Sequence, residues 1–460
     1  MKLPKIKLKK KPDYIKLSND MDFFELFRKI EAEFDNCFVL ESLNEDVQFS
    51  RYAIIGFDPQ LILKARGNEL SIVNVLTGKE EIFEVDNPYY ALREIIPQDI
   101  IARDFVGGLV GYLSYDAANY MESAVKIKQH PDFEQFKFGM YLDGLIQDKL
   151  TGETHYFFYD QNRIELVEKI ISTQLKKQDH KPSVVELGDT LTKEQHTLQV
   201  NQIKEDIKAG LIFQCEVGFK TEFEIKGDKL QIYQKLRQVN PSPFMYYLKF
   251  SDQVIIGASP ELIFRLKHGE MESAPLAGTI KRGRDFAEDQ KLARDLLNDP
   301  KEVAEHSMLV DLHRNDMGRV AQFGTVKIRN LMTIKKFSHV QHIASEIVGI
   351  IKKGEDMFSA LASNFPMGTV TGAPKIESML IIESNEKQPR GPYAGGVGYF
   401  GFNGNCTFAV ALRNLFVHGD HAFAQTSGGI VYDSIPEKEY DEIQRKLAAM
   451  KIVLTDFISK

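Results

Sequence analysis

Phe23, Phe27, Ile30 and Phe34 recur at helical spacing behind Ser18-Asn19-Asp20, which predicts an early amphipathic helix with capping residues in front of it. The period then shortens. Apolar and β-branched runs at 37–42, 52–57, 61–66, 70–76 and 81–85, parted by Gly67-Asn68 and Thr77-Gly78, predict strands joined as an antiparallel meander. A short helix over 89–96, a glycine-rich strand over 107–115 and a hairpin over 140–159 around Thr151-Gly152 follow. A helix over about 162–176 runs into a polar stretch, read as a linker over 178–190 between an N-terminal portion, 1–177, and a larger C-terminal domain, 191–460.

Beyond the linker, Thr192 and Gln195 have the spacing of a capping box that opens a helix running to Ala209-Gly210. Strands at 212–223, 244–250 and 253–258 alternate with helices near 230–238 and 289–298. Hairpins mixed with helices, without regular strand–helix alternation, predict an α+β protein built on large antiparallel sheets. The first eleven residues alternate lysine with Leu3, Pro4, Ile6 and Leu8, the pattern of an exposed strand or of a basic interaction arm.

Composition narrows the function. The 460 residues, 43% hydrophobic and 27% charged, suffice for one large or two medium domains. A net charge of −7 argues against nucleic acid or an anionic membrane as the partner and favours a small-molecule substrate. Cys37, Cys215 and Cys406 are odd in number and far apart, which fits a reducing compartment and gives no zinc spacing. With no secretory h-region and no apolar run of spanning length, a cytoplasmic protein is expected.

Candidate chemistry centres on residues 299–311. Read as a helix, the stretch puts Glu302 and Glu305 on one face at the edge of an apolar segment, and two such anions repel unless a cation lies between them. Glu439 and Glu442 repeat the spacing; should the pairs meet, they form a hard-oxygen cage suited to Mg²⁺. Glycine-rich stretches at 368–375, 390–399 and 427–429 could bring backbone N–H groups to an anion, though each also reads as a plain turn. Arg413 falls in a strand pattern beside Ala409 and Ala411, placed either to bind a carboxylate or to end a strand in solvent. His339 and His342 lack further ligands and read as one surface and one catalytic or hydrogen-bonded histidine. No G-x-S-x-G elbow is present to support acyl chemistry.

Taken in order, Gly257-Ala258-Ser259-Pro260-Glu261, Pro275-Leu276-Ala277-Gly278-Thr279, residues 299–311, Arg314-Asn315-Asp316, residues 368–375, Gly395-Gly396-Val397-Gly398-Tyr399 and Gly429-Ile430-Val431 with Asp433-Ser434 resemble the chorismate-utilising enzymes, and among them the anthranilate synthases. The resemblance spans about residues 212–446. It implies two packed antiparallel sheets flanked by helices, and a Mg²⁺-dependent reaction of chorismate with ammonia that gives anthranilate and pyruvate. It places Glu305 and Glu442 on Mg²⁺, with Glu302 and Glu439 supporting the ion through water. Glu261 matches the acid that protonates the departing C4 hydroxyl, His342 the residue of the pyruvate elimination, and Thr279 a position shaping that step. Tyr393, Arg413 and the Gly429 backbone match the grip on the enolpyruvyl carboxylate, with Thr369, Gly428 and Lys446 as further substrate-binding positions. The family usually reads Gly-Ala-Gly where this chain has Ser427-Gly428-Gly429, which puts one backbone contact in doubt.

Two further expectations follow from the resemblance. Leu40, Glu41, Ser42, Arg51, Asn240, Pro241, Ser242 and Met245 lie in segments similar to the feedback site for L-tryptophan. No glutaminase signature is present, so ammonia is expected from solution or from a separate glutamine amidotransferase subunit. The alternative relative is aminodeoxychorismate synthase, which stops before pyruvate loss and commonly carries a nucleophilic lysine where this chain has Ala277.

Overall fold

The computed structural model describes residues 2–18, 22–43, 51–102, 104–174, 181–337 and 340–458. Two large antiparallel sheets, with helices against them, carry the chain, so the expected α+β class holds. Across the first sheet the order is Asp13–Lys16, Glu153–Phe158, Asp143–Asp148, Tyr52–Phe57, Asn36–Glu41, Phe244–Phe250, Gln253–Ser259, Asn414–His418, His421–Ile430, Gln214–Lys226 and Ser183–Asp189. Across the second it is Leu276–Lys281, Val340–Ile350, Glu270–Ala274, Leu262–Lys267, Cys406–Val410, Gly396–Gly401, Gly108–Leu113, Phe136–Tyr141, Leu61–Arg66, Glu69–Asn74 and Glu80–Glu84.

Strand alternation explains why the central strands read as unbroken apolar runs. In Asn36–Glu41, Phe38 enters the core shared by the two sheets, whereas Cys37 and Val39 face the helices on the outer side. Opposite them, Tyr246 and Leu248 point inward and Met245 and Tyr247 outward. Both faces are covered, so no position is left for a polar residue to mark the period. The outer layer includes the helices Phe23–Glu33, Lys229–Val239 and Pro436–Thr455.

Four local expectations are corrected. The first helix is capped by Asp22, whose carboxylate accepts from Phe24 N and Glu25 N at 2.8 and 3.0 Å; Asn19 and Asp20 lie outside the described residues. Residues 2–11 are neither strand nor free arm: Leu3, Ile6 and Leu8 pack on the inter-sheet core, and Ile6 N donates to Ile95 O at 2.8 Å. The expected meander is broken after Phe57, where the chain leaves the first sheet and starts Leu61–Arg66 in the second. The linker, as far as it is described, is the edge strand Ser183–Asp189, paired with Gln214–Lys226. Strands from both sides of it enter both sheets. The capping box of Thr192 and Gln195 forms as expected, on the helix Lys193–Lys208. Among the described residues no helix is long and apolar enough to cross a membrane.

Candidate active site

The stretch at 299–311 opens the longer helix Pro300–Gly318. Asp299 caps it, accepting from Lys301 N at 2.9 Å, and Pro300 takes the first turn, where a missing N–H costs nothing. His306, Leu309, Val310, His313, Asp316 and Met317 face inward, while Glu302 and Glu305 stay partly exposed at a rim. The C-terminal helix Pro436–Thr455 brings Glu439 and Glu442 to the same rim. Burial raises the Glu302 carboxyl above its ordinary range, and Glu305 and Glu442 add to the rise. Burial likewise raises Glu439, again with help from Glu442. Partial burial pushes Glu442 up too, but Lys446, 2.9 Å away, outweighs it and holds that carboxyl below its usual range.

The two acidic pairs therefore feel one another across the rim, yet they do not close into a single cage. Among the described residues no three potential ligands come together around one point. Glu442 is engaged by Lys446, and Glu305 accepts from Gln214 Nε2 at 3.1 Å. A mutually repelling, hard-oxygen set of this kind fits Mg²⁺, which takes one or two protein carboxylates and fills its octahedron with water and substrate oxygens.

Below the rim, Gln214–Lys226 pairs with His421–Ile430 so that Glu216 faces Gly429 and Gly218 faces Ser427. A side chain at 429 would put its Cβ 2.6 Å from Gln214 Nε2 and 2.8 Å from Glu216 Oε1, so glycine there lets those two side chains lie against the strand. Glu216 is buried and is not singled out by the sequence reading, although a carboxylate within the otherwise apolar start of the strand Gln214–Lys226 is a readable signal. Ser427 Oγ donates to Glu216 Oε2 at 2.7 Å and accepts from the Tyr393 hydroxyl at 2.8 Å. Lys446 Nζ donates to Ser427 O at 2.9 Å. Arg390 clamps this floor from behind, reaching Glu386, Val370 O and Glu216 O at 2.7–2.8 Å.

Glu261 sits between Gln253–Ser259 and Leu262–Lys267 and is buried. Burial pushes its carboxyl up to about 8, against the Leu276 N–H and the nearby Thr369 hydroxyl, so near neutrality it holds its proton. His342, on Val340–Ile350, is buried and held down to about 4 by that burial. Its Nδ1 lies 2.8 Å from Gly278 O and 3.1 Å from Thr279 Oγ1. A carbonyl can only accept, so Nδ1 carries the hydrogen and Nε2 keeps its lone pair; Nε2 has no partner among the described residues. Gly278, at φ +64°, also touches the acidic helix: a Cβ there would meet Glu302 Oε2 at 2.8 Å.

Arg413 is not on a strand as expected. The strand ends at Val410, and Arg413 occupies the following turn at φ +52°, partly buried. Burial lowers its pKa and the Glu261 carboxyl opposes, which places the guanidinium within electrostatic reach of the acid. The loop at 368–375 leads, as expected, into a helix, Lys375–Asn385, but Lys375 is committed to Asp316 at 2.5 Å. His339 lies outside the described residues.

A cavity of about 410 Å³ between the sheets is lined by Leu40, Glu41, Ser42, Arg51 and Met245, together with Tyr246, Phe105 and Tyr399. Five of the eight residues expected at a regulatory site thus meet, whereas Asn240, Pro241 and Ser242 do not line it. Glu41 is held by Tyr233 and Arg237 at 2.7 Å, and Ser42 Oγ is buried without a partner among the described residues.

Two packed sheets with an acidic rim over a glycine-lined floor define a class, and comparison with known proteins agrees: the chain belongs to the chorismate binding enzyme family, whose profile matches residues 35–451. Within it, the chain is 51% identical to anthranilate synthase component 1 of Leptospira biflexa over 98% of each protein. It is 42% identical to the protein of that name from Methanothermobacter thermautotrophicus, over 93% of this chain and 91% of the relative. The crystal structure of anthranilate synthase component I from Streptococcus pneumoniae superposes with a TM-score of 0.78 at 29% identity, covering 87% of this chain and 92% of that one. The menaquinone-specific isochorismate synthase of Escherichia coli shares the fold, with a TM-score of 0.73 at 18% identity over 98% and 96%.

Proposed function

We propose that this chain is the large subunit of an anthranilate synthase, converting chorismate and ammonia to anthranilate and pyruvate. The observation that carries the reading is the opposed protonation of two buried groups: Glu261 pushed up to about 8 and His342 held down to about 4. At pH 7 one is a neutral acid and the other a neutral base, as a two-step amination and elimination requires. Glu261 gives its proton to the C4 oxygen as that bond breaks and ammonia enters at C2. His342 then accepts the C2 proton at Nε2 as the C3–oxygen bond breaks, and the departing enolpyruvate takes a proton on its methylene carbon to leave as pyruvate; Gly278 O orients the imidazole ring. Glu305 and Glu442, with Glu302 and Glu439 through water, would hold Mg²⁺, which would supply neutralisation of the ring carboxylate. Arg413, Tyr393 and the Gly429 backbone hold the enolpyruvyl carboxylate, with Thr369, Gly428 and Lys446 around it. Alanine at 277 supplies no amine, which supports ammonia as the nucleophile. The cavity between the sheets takes L-tryptophan as feedback inhibitor, with Ser42 Oγ toward its amino group, and a glutamine amidotransferase subunit supplies ammonia.

The test is to incubate the chain with chorismate, Mg²⁺ and ammonium at mildly alkaline pH and follow anthranilate fluorescence. A non-aromatic amino product in its place would assign the chain to aminodeoxychorismate synthesis.

A further inference from the structure

Ser427 and Glu216 are wired to Tyr393 by two short hydrogen bonds, 2.8 Å from the Tyr393 hydroxyl to Ser427 Oγ and 2.7 Å from there to Glu216 Oε2. All three residues are buried. A hydroxyl between two oxygens transmits direction, because it has one hydrogen to give. When Glu216 is ionised it only accepts: Ser427 donates to it, Tyr393 donates to Ser427, and Tyr393 turns lone pairs toward the site. When Glu216 is protonated it donates to Ser427, Ser427 donates to Tyr393, and the phenolic hydrogen is released to an external acceptor. A carboxylate ligand needs the second arrangement.

We propose that Glu216, acting through Ser427, decides whether Tyr393 offers a hydrogen or a lone pair to the substrate, so that gripping the enolpyruvyl carboxylate takes up one proton. The inference rests on chorismate being the ligand. Glu216 is a positioning residue here, and Ser427, the departure from the family's glycine, is its connection to the site.

The surroundings allow the carboxyl to change state. Lys446 and Glu442 of the C-terminal helix, Glu305 of the acidic helix and Glu261 all act on it electrostatically, and Arg390 binds its main-chain carbonyl. Burial pushes the Glu216 carboxyl up to about 6, with Lys446 and Ser427 opposing and Glu305 and Glu442 adding. At pH 7 the free protein therefore holds Glu216 mostly ionised; a carboxylate that accepts from Tyr393 turns the Ser427 hydroxyl toward Tyr393, and Glu216, left without its donor, takes up the proton that restores the bond.

The experiment is titration calorimetry of chorismate into the protein at pH 7 with Mg²⁺ present and ammonia absent, in buffers of different ionisation enthalpy. Wild type is expected to take up about one proton per chorismate bound. Glu216→Gln, a permanent donor to Ser427, and Ser427→Ala, which cuts the relay, are each expected to take up none. Full uptake retained in Glu216→Gln places the proton elsewhere and overturns the proposal. Full uptake retained in Ser427→Ala shows Glu216 sensing the ligand without Tyr393, and also overturns it. Wild type that binds chorismate without proton uptake sinks this inference alone, whereas wild type that binds no chorismate sinks the functional reading beneath it. Thermal melts check folding, and if Glu216→Gln does not fold, Ser427→Ala alone decides.

Discussion

The Tyr246 hydroxyl donates to Asn414 Oδ1 at 2.8 Å, with both residues buried. Tyr246 lines the cavity between the sheets, and Asn414 directly follows Arg413, which stands at φ +52° within electrostatic reach of Glu261. Gly257 sits between them with no room for a side chain, since a Cβ would lie 2.4 Å from the Tyr246 ring carbon Cζ and 2.5 Å from Asn414 Oδ1. One packed contact thus joins the proposed tryptophan cavity to the proposed grip on substrate.

Tyr246→Phe removes that contact and leaves Asn414 Oδ1 buried and unpaired, a cost of about 1–3 kcal/mol. If the contact carries the inhibitory signal, the tryptophan concentration for half-inhibition rises about tenfold. Calorimetric tryptophan affinity should change less. Inhibition unchanged from wild type would remove the contact from the signalling route.

Glu261→Gln should lower anthranilate formation by about 10²–10⁴-fold, the range for a missing general acid. Wild-type kcat should fall as pH rises through about 8, where the carboxyl loses its proton. Its effect on stability has the same sign: between 4.5 and about 8 the native state holds a proton that the unfolded chain has released, so stability declines as pH rises across that window. Urea midpoints of wild type and Glu261→Gln measured across it should diverge toward the alkaline end.

Acid should unfold the protein through its histidines. Burial holds His130 and His313 at about 3 and His196, His306 and His342 at about 4, all below the ordinary 6.5. Between 6.5 and about 4 the unfolded chain binds protons that the native state refuses. The histidine contribution to stability is therefore full above 6.5 and lost as pH falls toward 4, which urea titrations at pH 7, 6 and 5 in the Glu261→Gln background, where the opposing carboxyl is gone, will show as a falling midpoint.

Glu305→Gln should weaken Mg²⁺ activation about a hundredfold in the ammonia-dependent assay, read as the shift of the Mg²⁺ titration. Activity saturating at the wild-type Mg²⁺ concentration would take Glu305 off the metal.

Gly429→Ala drives a methyl group to 2.6 Å from Gln214 Nε2 and 2.8 Å from Glu216 Oε1. It should raise KM for chorismate about tenfold, because Gln214 and Glu216 must shift and the Gln214 hold on Glu305 is disturbed. A wild-type KM would mean that this strand does not face the substrate.

Much of the architecture could be read from the chain because strands such as Tyr52–Phe57 and Phe244–Phe250 are covered on both faces and leave dense apolar runs. Sheet membership could not be read: nothing between Phe57 and Leu61 announces that the chain changes sheets, since local pattern sets a strand's conformation and tertiary packing its partner. Ser183–Asp189 passed for linker because an edge strand may be polar, with Val184 alone fully covered. Helical spacing alone singles out the four rim carboxylates and motif order Glu261 and His342 as candidates, whereas their burial and partners are properties of the fold. The apolar alternation runs on past Val410, where the strand ends, so it does not reveal the turn that holds Arg413, and the partners of Glu216, Ser427 and Tyr393, lie too far along the chain for local pattern to show.

The passage of the backbone from Tyr52–Phe57 to Leu61–Arg66, and back from Phe136–Tyr141 to Asp143–Asp148, stitches the layers together. Each sheet also pairs a strand from the first part of the chain with one from the second, Asn36–Glu41 with Phe244–Phe250 and Gly108–Leu113 with Gly396–Gly401, so neither sheet is complete from one part alone. Heat should melt the molecule in a single calorimetric step, and fragments divided at residue 180 should regain structure only when mixed.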